Sequence, residues 1–164
     1  MVRGNEGADA PQDGTRVGPQ APAGASGADP ADAAARWARE RVWAVVGASN
    51  ARHKFGNRIY RTLRDAGYRV YAVNRTAASV EGDAAYARLV DLPEPPTVVD
   101  LVIPPGAGTL DVVRDARAAG ARAVWFQPGA EDEAAMRWAE SKGLAVVTDC
   151  ILRRYVEQGA LGRP

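Results

Sequence analysis

The 164-residue chain is poor in cysteine and histidine, and each shortage removes a class of site. Its single cysteine, Cys150, excludes an internal disulfide framework and a cysteine-based metal site, and it suits a reducing cytoplasm. His53 is the single histidine and lies beside Lys54. A general base needs a partner that orients it, and none is recognisable in the sequence. We therefore expect His53 to be a solvated loop residue or a neighbour of a phosphate.

Long apolar runs and an excess of charge are also missing. No run approaches the roughly 18 apolar residues that are needed to cross a bilayer, and the N-terminus lacks the apolar core of a signal peptide. The 21 basic residues are nearly balanced by 20 acidic ones, whereas nucleic-acid-binding proteins carry a strong basic excess on one face. These features predict a cytoplasmic protein with neither a membrane nor a nucleic-acid partner.

The composition changes sharply near residue 29. Residues 1–28 are dominated by Gly, Ala, Pro, Asp and Gln, and such a segment buries too little apolar surface to offset the entropy lost on ordering. We predict a disordered tail over 1–28 and one domain over 29–164. Asp29 and Pro30 are typical of an N-cap and a first helical position, and an Ala-rich helix is expected to follow as far as Arg41.

From Val42 onward, apolar strands alternate with amphipathic helices. Three of the helices end at a glycine, which accepts the left-handed conformation at a helix C-terminus. Alternating strands and helices predict a parallel sheet with helices on both faces. The fold class is therefore α/β, a Rossmann-like three-layer sandwich with a five-stranded parallel sheet. The predicted strands begin at Val42 and lie over 68–73, 98–103, 121–126 and 144–147.

In such a sheet, a ligand binds beyond the carboxyl ends of the strands. The segment after the first strand is a loop of small residues that leads into a helix, and this geometry aims backbone N–H groups and the positive end of a helix dipole at an anion such as a phosphate. The candidate site consists of the segments that follow the five strands, which are 47–49, 74–75, 104–106, 127–129 and 148–150.

The first loop does not fit the dinucleotide fingerprint Gly-x-Gly-x-x-Gly. It reads Gly-Ala-Ser-Asn-Ala-Arg over 47–52, so the second and third glycines are missing, and Gly56 follows after a longer loop. The second strand ends in Asn74 and Arg75, where a NAD-binding domain has an acidic residue. An arginine suits a phosphorylated ribose, which NADP carries at the 2′ position and coenzyme A (CoA) at the 3′ position. Spacing alone leaves both open.

An ordered series of segments resembles the small CoA-binding domain proteins related to the N-terminal domain of the succinyl-CoA synthetase alpha subunit. The resemblance spans about residues 36–156. The segments that carry it are 45–49, 54–57, 67–74, 81–82, 92–95, 102–105 and 124–129, together with Cys150.

The resemblance implies positions for each part of CoA. It places the diphosphate on the first loop and the helix start, at Gly47, Ala48, Ser49, Lys54, Phe55, Gly56 and Asn57. The adenosine and its 3′-phosphate would face Asn74 and Arg75. The pantetheine arm would run between Ile103, Pro104 and Pro105 on one side and Gln127, Pro128 and Gly129 on the other, with the thiol near Cys150. We expect that Gly47→Val would fill the space of the diphosphate and abolish binding without unfolding the domain.

Catalytic motifs are missing from the sequence. It contains no Tyr-x-x-x-Lys pair, no Gly-x-Ser-x-Gly elbow and no metal-ligand cluster, and the synthetase's phosphohistidine has no counterpart. The sequence therefore predicts a protein that binds CoA or an acyl-CoA without catalysis of its own, with a homodimer left open. The alternatives are an NADP-binding oxidoreductase and a regulatory or interaction module with a vestigial pocket.

Overall fold

A computed structural model describes residues 29–106 and 108–157 of the chain. The tail predicted over 1–28 and the last seven residues of the predicted domain, 158–164, lie outside the described residues. The helices are α1 (Pro30–Trp37), α2 (Phe55–Asp65), α3 (Thr109–Ala118), α4 (Glu133–Ser141) and α5 (Ile151–Glu157), and a 3₁₀ turn covers Leu89–Asp91. The strands are β1 (Val42–Val46), β2 (Arg69–Val73), β3 (Ser79–Val80), β4 (Asp83–Tyr86), β5 (Val98–Leu101), β6 (Ala123–Phe126) and β7 (Ala145–Thr148).

The helix ends follow local sequence rules. The Asp29 carboxylate accepts a hydrogen bond from the Ala31 N–H at 2.8 Å, and proline occupies the first helical position, so α1 begins where the sequence predicts. It ends at Trp37, earlier than the predicted Arg41. The three glycines predicted to end helices, Gly67, Gly120 and Gly143, all have a positive φ, which confirms that prediction.

The sheet has seven strands in the order β3-β4-β2-β1-β5-β6-β7. The five predicted strands are present as β1, β2, β5, β6 and β7, and they are mutually parallel. The predicted strand number is wrong, because β4 adds to β2 in parallel and β3 pairs with β4 in the antiparallel direction. β3 has only two residues and β4 is Asp-Ala-Ala-Tyr, so neither contains the run of β-branched and aromatic residues that marks a strand in a sequence.

Helices cover both faces of the sheet. α1, α2 and α5 pack on one face, where Trp43 of β1 and Trp125 of β6 are fully buried with their ring centroids 5.6 Å apart. α3 and α4 pack on the other face over Val99, Leu101 and Phe126. The fold is therefore the predicted Rossmann-like three-layer sandwich. No helix in the described part of the chain combines the length and the apolar character that crossing a membrane requires.

The order in which successive strands are added to the sheet reverses at β1. β2 and β5 flank β1 on opposite sides, while the helix after β1 and the helix after β5 lie on opposite faces. The loops that follow β1 and β5 therefore separate at their carboxyl ends and leave a crevice, the switch point at which α/β sheets bind ligands.

Candidate ligand site at the carboxyl ends of the strands

The loop after β1 is fixed by its first residue. Gly47 has a φ of 97°, a left-handed conformation that side chains disfavour, and its N–H donates to the Val73 carbonyl oxygen at 3.0 Å. A Cβ atom on Gly47 would lie 3.0 Å from the Val102 carbonyl oxygen and 3.2 Å from Ile103 Cγ2. A valine at Gly47 would thus press on the backbone after β5 as well as fill the space of a diphosphate, so the expectation that Gly47→Val abolishes binding without unfolding the domain stays a prediction.

Gly56 brings α2 into backbone contact with this loop. A Cβ atom on Gly56 would lie 2.2 Å from the Gly47 carbonyl oxygen and 3.2 Å from the Ala48 nitrogen. Close packing of helix against loop is the role of the third glycine in a dinucleotide fingerprint. Gly56 has that role here. Because it follows a longer loop than the fingerprint allows, the spacing in the sequence did not reveal this role.

The N-terminus of α2 has no side-chain cap. Lys54 occupies the N-cap position and its side chain makes no capping hydrogen bond. Gly108 likewise leaves α3 without a side-chain cap, whereas Asp29 caps α1 and Asp132 caps α4. The first hydrogen bond of the helix runs from the Arg58 N–H to the Lys54 carbonyl oxygen at 3.1 Å. The N–H groups before Arg58 therefore have no acceptor within the helix and suit a bound anion.

Two asparagines predicted to contact the ligand make hydrogen bonds that shape the loop, while Asn57 Oδ1 has no partner among the described residues. Asn57 is fully buried, and its Nδ2 donates to the Ser49 carbonyl oxygen at 2.7 Å. Asn74 Nδ2 donates to the Ala48 carbonyl oxygen at 2.7 Å, while its Oδ1 accepts from the Thr76 N–H at 2.9 Å. The side chains of Asn57 and Asn74 are thus used within the protein.

Ser49 also interacts within its own loop. Its hydroxyl accepts from the Ala51 N–H at 3.4 Å, the short-range contact that loop serines often make. Ala48 is fully buried, so its side chain does not face the surface of the loop, and its carbonyl oxygen already accepts from Asn74. A diphosphate here would therefore be held by main-chain groups.

Three basic side chains near the crevice differ in their charge partners. Arg52 pairs with the Glu81 carboxylate at 2.6 Å. Lys54 and Arg75 are exposed, and neither forms an ion pair within residues 29–106 and 108–157. The Arg75 guanidinium reaches to within 3.6 Å of the Cβ position of Gly108, so it extends from the end of β2 toward the loop after β5. Arg75 and Lys54 are therefore two cations available to a phosphate.

Phe55 and His53 lie at the outer edge of the same loop. The Phe55 ring is 59% exposed, and the Arg58 guanidinium lies 5.3 Å from its centroid. His53 is exposed, as expected for a solvated loop residue.

The segments predicted to flank a pantetheine arm lie at the same edge of the sheet. Ile103 is half-buried, and Pro104, Pro105, Pro128 and Gly129 are exposed. The two segments are tied together, because the Gly106 N–H donates to the N-cap Asp132 of α4 at 3.1 Å. Cys150 is half-buried, and its backbone N–H donates to Asp149 Oδ1 at 2.7 Å.

Gln127 faces the interior and contacts a carboxyl group that sequence reasoning missed. Its Nε2 donates to Asp100 Oδ1 at 2.6 Å, and its Oε1 accepts from the Ile151 N–H at the start of α5 at 3.3 Å. Asp100 is fully buried in β5, and its Oδ2 has no partner among the described residues. Burial raises the pKa of Asp100 to about 7. The signal in the sequence was one charged residue within an apolar strand.

Two other clefts of the surface lie away from this edge. One is lined by Leu92, Pro93, Pro95 and the end of α3, and the other by Tyr60, Tyr68, Tyr71 and Tyr86. Neither is lined by the N-terminus of α2 or by the loop after Gly47. Residues 29–106 and 108–157 contain no group of three or more histidine, cysteine, aspartate or glutamate side chains placed to hold a metal ion.

Comparisons with known proteins agree with the fold. A family model described as a CoA binding domain matches residues 41–155. A hypothetical protein from Pyrococcus horikoshii OT3 is 32% identical with a TM-score of 0.74, and the match covers 80% of this chain and 92% of that one. A conserved hypothetical protein from Pyrococcus furiosus is 37% identical with a TM-score of 0.64, over 70% of this chain and 99% of that one.

A larger protein contains a similar part. The dinucleotide forming acetyl-coenzyme A synthetase 1 of Ca. Korarchaeum cryptofilum is 30% identical with a TM-score of 0.60, over 69% of this chain but 26% of that one. The family match extends over most of the domain, from just before β1 into α5. The chain belongs to the CoA-binding domain family.

Proposed function

We propose that this protein binds CoA or an acyl-CoA at the crevice beside β1, with the diphosphate on the loop from Gly47 to Asn57, and that it has no catalytic activity of its own. The observation that carries the proposal is the uncapped N-terminus of α2, held in backbone contact with the loop by Gly56. Free N–H groups at a helix N-terminus stabilise a phosphate through hydrogen bonds and through the helix dipole.

The charges near the crevice fit the remaining phosphate of CoA. Arg75 is exposed at the end of β2, has no ion pair within the described residues and reaches toward Gly108. In the proposal it binds the 3′-phosphate through charge-assisted hydrogen bonds. Lys54 is exposed at the helix N-cap and supplies a second positive charge beside the diphosphate.

In the proposal, the thiol end of CoA lies beyond the carboxyl ends of β5, β6 and β7. The exposed segments at Pro104–Pro105 and Pro128–Gly129 border the crevice and would flank the pantetheine arm. Cys150 follows β7 and is half-buried, and in the proposal the CoA thiol lies near it. The cytoplasmic location and the homodimer stay predictions.

The absence of catalysis is proposed because three polar side chains of the candidate site, in the first turn of α2 and after β2 and β6, make hydrogen bonds within the protein. Asn57, Asn74 and Gln127 each bond to other parts of the protein. His53 is exposed on its loop, away from a recognisable orienting group. The part of the synthetase that matches this chain makes up 26% of the synthetase. The proposed function therefore does not include the synthetase's activity.

A thermal-shift and calorimetry panel with CoA, dephospho-CoA and NADP tests the proposal. A ligand at 100 times its Kd stabilises the native state by about 2.7 kcal/mol. We expect a clear rise in Tm with CoA and a much smaller one with dephospho-CoA and NADP. A rise with NADP alone would favour the oxidoreductase, and no response to any of the three would favour the interaction module. Mass spectrometry of small molecules retained through purification would identify the acyl group.

A further inference from the structure

The turn between β3 and β4 has a residue in an unfavourable conformation. Glu81 and Gly82 connect the two strands with φ values of 51° and 89°. A two-residue hairpin turn with both φ values positive is of type I′, which favours Asn or Asp followed by Gly. Glu81 is the only non-glycine residue with positive φ in the described part of the chain. A glutamate in this conformation destabilises the folded chain, so its side chain is expected to make contacts that offset the cost.

The Glu81 side chain holds the loop from Gly47 to Asn57, the ligand loop, at its middle and at its C-terminal end. It is 7% exposed. Its Oε1 accepts from Arg52 Nε at 3.1 Å and from Asn57 Nδ2 at 2.8 Å, and its Oε2 accepts from the Arg52 guanidinium at 2.6 Å. Arg52 lies in the loop after β1, whereas Asn57 lies in the first turn of α2. These bonds, the one from Arg52 first, lower the pKa of Glu81 to about 2, so the carboxylate is charged throughout the neutral range.

The backbone of the turn adds a second set of contacts to the same loop. The Glu81 N–H donates to Asn50 Oδ1 at 2.8 Å, and Asn50 Nδ2 donates to the Ser79 carbonyl oxygen at 2.9 Å. Asn50 therefore both accepts a hydrogen bond from the hairpin and donates one to it. The hairpin contacts the loop at three residues, which are Asn50, Arg52 and Asn57.

We propose that Glu81 is a positioning residue, which fixes the loop from Gly47 to Asn57 in the form that receives the ligand's diphosphate. The inference rests on the proposed function for the identity of the ligand. Asn57 transmits the effect, because the same Nδ2 atom bonds to Glu81 and to the Ser49 carbonyl oxygen. Arg52 neutralises the carboxylate, so Glu81 shapes the loop without repelling a phosphate.

Glu81→Asn is the most informative variant. Asparagine suits the type I′ turn better than glutamate, but its shorter side chain does not reach Arg52 and Asn57. We expect the Tm to stay within about 3 °C of the wild type, since the relaxed turn offsets part of the lost contacts. We expect the Kd for CoA to rise at least tenfold and backbone hydrogen exchange to increase over residues 47–57 alone.

Two further variants separate positioning from stability. Glu81→Gln keeps the length and an acceptor for Asn57, and we expect it to restore most of the affinity that Glu81→Asn loses. Glu94→Gln is the matched control, because Glu94 likewise bonds an arginine, Arg69 at 2.9 Å, and a neutral donor, the Tyr71 hydroxyl at 2.5 Å, but it lies outside the ligand loop. It should leave the Kd for CoA unchanged.

The measurements decide the proposal whether or not CoA is the ligand. An unchanged Kd in Glu81→Asn, or exchange that increases uniformly over the whole domain, would overturn the positioning role. If the wild-type protein binds no CoA, the proposed function fails, and the hydrogen-exchange pattern then decides alone. Faster exchange confined to 47–57 would still support the role of Glu81, and unaltered exchange there would overturn it.

Discussion

Gly56 in the first turn of α2 packs directly on the backbone of Gly47, so that a Cβ atom on Gly56 would lie 2.2 Å from the Gly47 carbonyl oxygen. Alanine is normally favoured over glycine within a helix by about 1 kcal/mol. Here its methyl group must displace the loop. We predict that Gly56→Ala lowers the free energy of unfolding by about 1–3 kcal/mol, as overpacking does, and weakens CoA binding at least tenfold. Urea denaturation and calorimetry measure the two effects.

Gly143→Ala is the control for that substitution. Gly143 ends α4 with a φ of 77°, and nothing lies within 4 Å of its Cβ position. Alanine there introduces backbone strain of about 1–2 kcal/mol without a clash, so stability should fall while the Kd for CoA stays unchanged. Wild-type affinity in Gly56→Ala would contradict the placement of the diphosphate at this contact.

Arg75 gives a prediction about ligand selectivity. Its guanidinium is exposed and has no ion pair within the described residues. If it binds the 3′-phosphate, Arg75→Gln should weaken CoA binding by roughly 10- to 100-fold, because hydrogen bonds to charged groups contribute about 1.5–3 kcal/mol. The Kd for dephospho-CoA should hardly change. Arg39→Gln removes the same charge from an exposed residue before β1, at the opposite edge of the sheet, and should leave both values unchanged. Equal losses for the two ligands in Arg75→Gln would refute the assignment.

Asn74 connects the loops after β1 and β2. Asn74→Asp keeps the oxygen that accepts from the Thr76 and Ala77 N–H groups but loses the donor to the Ala48 carbonyl oxygen. Two acceptors then face each other, so we predict a loss of about 1–3 kcal/mol in the free energy of unfolding, together with weaker CoA binding. Thermal denaturation and calorimetry test both. Asn74→Asp with wild-type stability would show that the bond between the loops contributes little.

The sequence predicted the main strands well because their signal is local. β1, β5 and β6 are short apolar runs bounded by glycine and proline, which is typical of buried parallel strands. The β3–β4 hairpin was missed because its contacts are remote in sequence. Asn50 holds β3, and the Tyr60 hydroxyl donates to Asp83 of β4 at 2.8 Å.

The juxtaposition of the candidate segments was predicted from the sequence, whereas the direction of their side chains was predicted less well. Parallel strands bring their carboxyl ends to one edge, so spacing alone placed the loops after β1, β2 and β5 together. The direction of a side chain depends on packing, and Gln127 is the clearest case. It lies in a predicted segment, yet it is 5% exposed and bonds to the buried Asp100.

Asp100 predicts an unusual dependence of stability on pH. Its pKa is raised by burial to about 7, against an ordinary value of 3.8, while the hydrogen bond from Gln127 opposes the shift. The folded protein therefore keeps a proton that the unfolded chain releases between these values. The free energy of unfolding should fall as pH rises from 5 to 7, by up to roughly 1.4 kcal/mol per pH unit, and level off above about pH 7. Glu81 acts in the opposite direction, but below its ordinary value of 4.5, outside this window.

Asp100→Asn tests whether this carboxyl group is the cause. Asparagine stays neutral and keeps the oxygen that accepts from Gln127 Nε2, so urea denaturation at pH 5, 6, 7 and 8 should show a nearly flat profile. Its new Nδ2 would occupy the place of Oδ2, which has no partner among the described residues, so a loss of about 1–3 kcal/mol relative to the wild type is expected at pH 5. The difference should shrink as pH rises to 7, because the wild type loses stability over that range and the variant does not. Asp91→Asn changes an exposed carboxylate and should keep the wild-type slope. A slope that survives in Asp100→Asn would assign the pH dependence to another group, because the amide has no proton to lose in this range.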